Sequence, residues 1–198
     1  MQDASIIDPV ERRIHNKIME LVEEIGVMCE KGRNALEPPE LEVAYKLSAL
    51  GKSHFEMFQL LETKNGRKKD AADHFIRGLS VRLSALNSFG SNCDLDFAIN
   101  AVVPEIIKQI EMMKATENKR YLSRSILSFH PNPVAMEVLR MTPTSICNRM
   151  IVNALLDVAS LYELSEDYQS SLDSILQSPT FNALSVINDA LYIALNEV

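Results

Sequence analysis

The sequence contains no tryptophan, only three cysteines and only six glycines among its 198 residues. Cys29, Cys93 and Cys147 are widely separated, so we expect neither a disulfide framework nor a zinc site built from CxxC pairs. No P-loop and no GxGxxG pattern occurs, which argues against a glycine-rich phosphate-binding loop. The motifs of HExxH zinc enzymes and GxSxG hydrolases are also missing. We therefore predict that the protein is not an enzyme and binds no cofactor or metal.

Long apolar runs are missing as well. The longest, residues 190–195, is far shorter than the roughly 20 residues that a membrane-spanning helix needs. The first residues of the chain do not show the basic segment and apolar segment of a secretory signal. We therefore expect no contact with a membrane and a cytoplasmic location.

Positive charge is absent from the last quarter of the chain. Residues 150–198 contain seven acidic residues and no lysine or arginine, whereas the charges of residues 1–149 balance. The net charge of −7 therefore arises entirely in this acidic C-terminal region. Such an asymmetry favours a partner protein with a basic surface and disfavours nucleic acid.

Hydrophobic periodicity indicates helices along the whole chain, and no segment alternates in the manner of a β-strand. Asp8 and Pro9 form a start signal for the first helix, which is expected to end near Gly32. Pro104 interrupts a later helical pattern and is expected to kink or restart that helix. Further helix starts are predicted at Pro38-Pro39, Asp70, Asp94, Pro133, either Thr142 or Ser145, and Ser178-Pro179.

These patterns together predict about eight or nine helices. We expect a single all-α domain over residues 1–198, arranged as a bundle or as a short helical superhelix. If the chain has a subdomain break, its best position is near residues 130–133, where two prolines interrupt the helical pattern.

The superhelix alternative arises because residues 155–175 resemble one tetratricopeptide repeat unit. The small and aromatic positions of that unit fall on Ala159, Tyr162, Tyr168 and Ser171. Glu166 stands where the family has its turn glycine, and Ala183 stands where it has its closing proline. Because a repeat fold needs about three units, we interpret this segment as an ordinary helical hairpin.

The last predicted helix, residues 179–198, is apolar around most of its circumference. Such a helix is either central in a bundle or part of a homo-oligomer interface, and we favour the central position. This helix, the charge asymmetry and the lack of catalytic motifs together predict a protein-binding regulator, adaptor or assembly factor. The candidate protein-binding residues are Glu163, Glu166, Asp167, Leu191, Ala194 and Val198.

The main alternative is a nucleic-acid-associated protein that uses the densest basic cluster of the chain. This cluster consists of Lys64, Arg67, Lys68 and Lys69. Cations in a turn can contact phosphates, but no aromatic residue lies between them to stack on bases. We interpret the cluster as a solvated surface turn, which makes nucleic acid the less favoured partner.

A further alternative is a helical enzyme whose site is assembled from distant residues. Asp70 and His74 are four residues apart and share a helix face, as do Glu11 and His15. The Glu-x-x-His motifs that accompany such pairs in di-iron bundles are missing. We therefore interpret both as surface pairs. We also interpret Cys147 as a packing residue rather than a nucleophile.

Overall fold

The computed structural model describes residues 8–33, 39–113, 129–143 and 145–164, which form six helices and no strand. This confirms the all-α class. The helices are α1 (Pro9–Gly32), α2 (Glu40–Glu62), α3 (Lys68–Asn87), α4 (residues 95–113), α5 (Pro133–Met141) and α6 (Ile146–Leu164). None of these helices is both long and apolar enough to cross a membrane. The helix predicted to follow Ser178 lies outside the described residues.

Helix α1 begins where the sequence predicts. The Asp8 carboxylate accepts a hydrogen bond of 2.9 Å from the Val10 N–H, which supplies a partner to a free donor of the first turn. Ile14, Ile18 and Leu21 are buried on one side of the helix. Among the described helices, α1 packs mainly against α2. Its opposite side therefore remains exposed.

Helices α2 and α3 form an antiparallel hairpin whose backbones come close at two glycines. A Cβ atom on Gly51 would lie 3.2 Å from the Gly78 carbonyl oxygen, and one on Gly78 would lie 3.3 Å from the Gly51 carbonyl oxygen. Any side chain at either position would have to fit between the two helices. The glycine that the sequence places in the middle of α2 is therefore explained by a close helix crossing.

A layer of buried polar side chains lies beside this crossing. Arg82 is only 3% exposed, and its Nη2 lies 3.3 Å from a Glu105 carboxylate oxygen. Its guanidinium also lies over the Phe55 ring, 5.6 Å from the ring centroid. Gln109 is fully buried, and its Nε2 lies 3.2 Å from the Cβ position of Gly78. The crossing therefore packs against polar groups as well as against the apolar core.

The start of α3 differs from the prediction. The helix begins at Lys68, and Arg67 occupies the N-cap position that we had assigned to Asp70. Asp70 lies within the first turn, where its carboxylate accepts a hydrogen bond from Arg67 Nε. The prediction was wrong because an aspartate suits the first helical turn as well as the cap.

Helix α4 begins at the predicted cap and contains one irregular turn. The Asp94 carboxylate accepts a hydrogen bond of 3.0 Å from the Phe97 N–H. The helix comprises Leu95–Phe97, a π-helical turn over Ala98–Val102, and Val103–Met113. The wide turn ends two residues before Pro104, which has no N–H to donate. The irregularity predicted for this proline is therefore a π-helical turn rather than a break.

One contiguous core joins all six described helices. Each helix contributes side chains that are almost completely buried, and residues on both sides of the 130–133 break belong to the same cluster. One such residue from each helix, in chain order, is Ile18, Leu61, Leu79, Ile106, Leu139 and Ile151. Burial of this apolar surface is the main stabilising contribution to the fold.

Candidate protein-binding groove

An open groove lies where the end of α1, the start of α2, the end of α3 and the start of α5 meet. Its volume is about 510 Å³. Its lining is mostly apolar and comprises Met28, Cys29, Pro39, Val43, Phe89, Pro133 and Val134, with Arg33, Asn87, Ser88 and Asn132 among the polar residues. A groove of this kind between helices is suited to the apolar side chains of another helix.

Two asparagines hold the α5 side of the groove to the end of α3. The Asn132 side chain donates to the carbonyl oxygens of Asn87 at 2.8 Å and Phe89 at 3.2 Å. It also accepts from the Ala135 N–H at 2.8 Å, which caps α5. In return, the Asn87 side chain donates to the His130 carbonyl oxygen and accepts from the Asn132 N–H. These amides already have partners within the fold, so the surface offered to a ligand is mainly apolar.

An N132A variant should be less stable than the natural chain by about 2 kcal/mol, because it loses a helix cap and the two bonds to carbonyl oxygens. An N132D variant keeps the acceptor for the Ala135 N–H but loses both donors, so it should also be destabilised. Urea unfolding followed by circular dichroism measures both effects. An N132D variant as stable as the natural chain would show that the bonds to Asn87 and Phe89 contribute nothing.

The margin of the groove near α2 is acidic. A second depression of about 410 Å³ shares Pro39, Glu40 and Gly90 with the groove and is also lined by Glu42 and Tyr45. Glu40 and Glu42 are both exposed. A Cβ atom on Gly90 would overlap the Glu40 carboxylate, so that carboxylate lies directly against the loop after α3. We call Glu40 and Glu42 the acidic margin.

A third carboxylate, that of Asp94, is bonded to Tyr45, which lines the second depression. The Tyr45 hydroxyl donates a hydrogen bond to Asp94, and the Tyr45 ring packs edge-on against Phe97 with centroids 4.5 Å apart. The bond from Tyr45 and those from backbone N–H groups lower the pKa of Asp94, so this carboxylate is charged at neutral pH. Tyr45 as a residue is 37% exposed, and it adds apolar surface beside the acidic margin.

The basic cluster considered for nucleic acid is partly neutralised by α1. Lys64 Nζ lies 2.8 Å from one Glu11 carboxylate oxygen, and Arg67 Nη2 lies 3.1 Å from the other. The hydrogen bond from Lys64 is the largest cause that lowers the pKa of Glu11. Lys68 and Lys69 are exposed in the first turn of α3. Two of the four basic side chains of the cluster thus pair with α1 and hold the α2–α3 turn against it. Only Lys68 and Lys69 remain to support the nucleic-acid alternative.

Of the six residues predicted to bind a partner protein, only Glu163 belongs to the described part of the chain. Glu163 belongs to the last turn of α6. The remaining five, which are Glu166, Asp167, Leu191, Ala194 and Val198, lie outside the described residues. The first half of the segment that resembles a tetratricopeptide unit forms the end of α6, and its second half also lies outside the described residues.

Two histidines that the sequence analysis did not connect form a contact between α2 and α3. The Nδ1 atoms of His54 and His74 are 2.9 Å apart, so one ring donates and the other accepts. Burial lowers the pKa of His54 to about 4 and also lowers the pKa of His74, so both rings are neutral at pH 7. Asp70, the predicted partner of His74, instead accepts from Arg67. Within the described ranges no three His, Cys, Asp or Glu side chains are arranged to hold a metal ion.

The chain matches no protein-family model, and no curated protein and no solved structure matches it. The fold and the groove therefore define an all-α protein with an open, mainly apolar cleft and an acidic margin.

Proposed function

We propose that this is a non-enzymatic protein-binding regulator, adaptor or assembly factor that accepts a helix of a partner protein in its groove. The observation that carries the proposal is the mainly apolar groove bordered by the acidic margin. The partner helix would place an apolar face against Val43 and Val134 and basic side chains beside Glu40 and Glu42. This assignment agrees with the basic partner expected from the charge of the sequence, although it rests on different residues.

Two features of the groove support a helix as the occupant. The amides of Asn87 and Asn132 are bonded within the fold, so the groove is a poor site for an extended peptide that needs backbone hydrogen bonds. An α-helix satisfies its own backbone groups and needs only apolar contact along one face. The exposed carboxylates at one margin then select for basic residues and orient the helix.

A designed leucine–lysine amphipathic peptide should bind the full chain, and a V134Q variant should bind it about tenfold more weakly, since the glutamine amide would have to be desolvated beneath the peptide. An E42K variant should weaken binding and reduce its dependence on salt. Fluorescence anisotropy of the labelled peptide at two salt concentrations measures both effects.

The matched control for V134Q is V10Q. Val10 follows the proline that opens α1, as Val134 follows the proline that opens α5, and Val10 is 43% exposed at the end of α1 away from the groove. V10Q should therefore leave peptide binding unchanged. Equal weakening by V10Q and V134Q, or equal binding of a leucine–glutamate peptide, would contradict the proposal.

A further inference from the structure

The second depression, of about 410 Å³, continues the groove at its acidic margin. Glu40 and Gly90 line both depressions, so they form the boundary between the two. Beyond this boundary the walls include Leu41, Glu42 and Tyr45, which combine apolar surface with negative charge. A side chain that reaches this space from a helix in the groove must therefore be long, and its end must suit carboxylates.

Tyr45 presents a ring that is held in place on two sides. Its hydroxyl donates a hydrogen bond to the Asp94 carboxylate, and its ring packs edge-on against Phe97. Tyr45 is nevertheless 37% exposed. The faces of aromatic rings attract cations, and a ring that is already fixed loses little freedom when a ligand binds. The ring is thus a preorganised surface on which a cation can stack.

The charges around this ring are mainly negative. Asp94 carries its charge at neutral pH, and Asp96 is exposed two residues later. Among the residues that line the second depression in the described part of the chain, none is basic. Lys46, the residue after Tyr45, is paired with Glu24 at 2.6 Å, and Arg33 lines the groove but not the second depression. These surroundings favour a cation over a neutral or an acidic side chain.

We propose that the second depression anchors one arginine side chain of the partner helix. The guanidinium stacks on the Tyr45 ring and bonds to the Glu42 carboxylate. Arginine suits the site better than lysine because its planar head stacks on rings, binds carboxylates through paired N–H groups and is less strongly hydrated. This inference rests on the proposed function, because the arginine belongs to the helix that occupies the groove, and it names the residue that distinguishes that helix from other basic helices.

A single-replacement scan of the leucine–lysine peptide tests the anchor. Each lysine in turn is replaced by arginine, and fluorescence anisotropy gives the dissociation constant of each peptide for the full chain. One replacement should strengthen binding about fivefold over the parent peptide, whereas the others should bind like the parent. At the favoured position, citrulline keeps the shape of arginine without its charge and should bind more weakly than lysine.

Variants at Tyr45 assign the gain to the ring. Y45L keeps an apolar side chain but removes the ring, so it should bind the arginine and lysine peptides with equal affinity. Y45F keeps the ring and loses only the hydroxyl, so it should retain most of the gain. V134Q, inside the groove, is the matched control, because it should weaken both peptides equally and leave the ratio of their affinities unchanged. Circular dichroism checks that each variant keeps its helices.

Four results would overturn the arginine anchor. They are equal affinities for all peptides of the scan, a gain of similar size at every replaced position, a gain that persists in Y45L, and a citrulline peptide that binds as tightly as the arginine peptide. If the parent peptide binds and V134Q weakens it, any of these results contradicts the anchor alone and leaves the proposed groove standing. A chain that binds none of the peptides would contradict both proposals.

Discussion

A G51A variant should lose about 2 kcal/mol or more of its free energy of unfolding, even though alanine is the better helix former. The new Cβ atom would lie 2.7 Å from Arg82 Cγ and 3.2 Å from the Gly78 carbonyl oxygen. Arg82 is buried, and its guanidinium lies 3.3 Å from Glu105, so its stem cannot move without disturbing that ion pair. Urea unfolding monitored by circular dichroism measures the loss.

Alanine substitutions at two other helical glycines serve as controls for G51A. G26A adds a methyl group where nothing lies within 4 Å, so it should stabilise the protein by up to about 1 kcal/mol through helix propensity alone. The change in the free energy of unfolding for G78A should lie between those for G51A and G26A. The nearest contacts of its new Cβ atom, Gln109 Nε2 at 3.2 Å and the Gly51 carbonyl oxygen at 3.3 Å, are longer than the 2.7 Å contact at Gly51. If G51A stabilised the protein as much as G26A, then α2 and α3 could not approach as closely at Gly51 as the structure shows.

Acidification from pH 7 to pH 4.5 should lower the free energy of unfolding by about 2 to 3 kcal/mol through His54. In the folded protein burial holds the pKa of His54 at about 4, against an ordinary value of 6.5. Below pH 6.5 the unfolded chain therefore binds a proton that the folded chain does not, and stability falls until the pH reaches the folded pKa. The lowered pKa of His74 acts in the same direction. Urea unfolding at a series of pH values measures the slope.

An H54N variant is the control for this pH dependence. The asparagine amide can still donate to His74 Nδ1 but does not titrate, so the loss between pH 7 and pH 4.5 should shrink substantially. Asp157, whose pKa is raised by burial, contributes with the opposite sign in both proteins and cancels in the comparison. An H54N variant with the natural slope would show that another group causes the dependence.

The helix boundaries that the sequence predicted correctly are those with local signals. Asp8 before Pro9, and Asp94 at the start of α4, bond to N–H groups two and three residues away. Both signals are contained in a few neighbouring residues, so they can be recognised without knowing the rest of the fold. The Asp70 prediction was wrong because an acidic side chain near a helix start fits more than one position.

The groove could not be predicted in the same way because its residues are far apart in the sequence. Its lining extends from Met28 to Val134, and it exists only once four helices have packed together. The ion pairs of the basic cluster could not be predicted for the same reason. The sequence shows which residues form the cluster, but the Glu11 carboxylate that binds Lys64 is 53 residues away. The contact between His54 and His74 spans 20 residues and needs the register of α2 against α3.

The crossing of α2 and α3 at Gly51 and Gly78 also affects the geometry of the groove. Val43 lies eight residues before Gly51, so it is about 12 Å from the crossing along α2. Any change in the angle between α2 and α3 is transmitted along that length to the groove, whose walls include the start of α2 and the end of α3. The width of the groove is thus set partly by two residues that do not line it. Under the proposed function, a substitution in the interior at this crossing would therefore also change which helices the groove can accept.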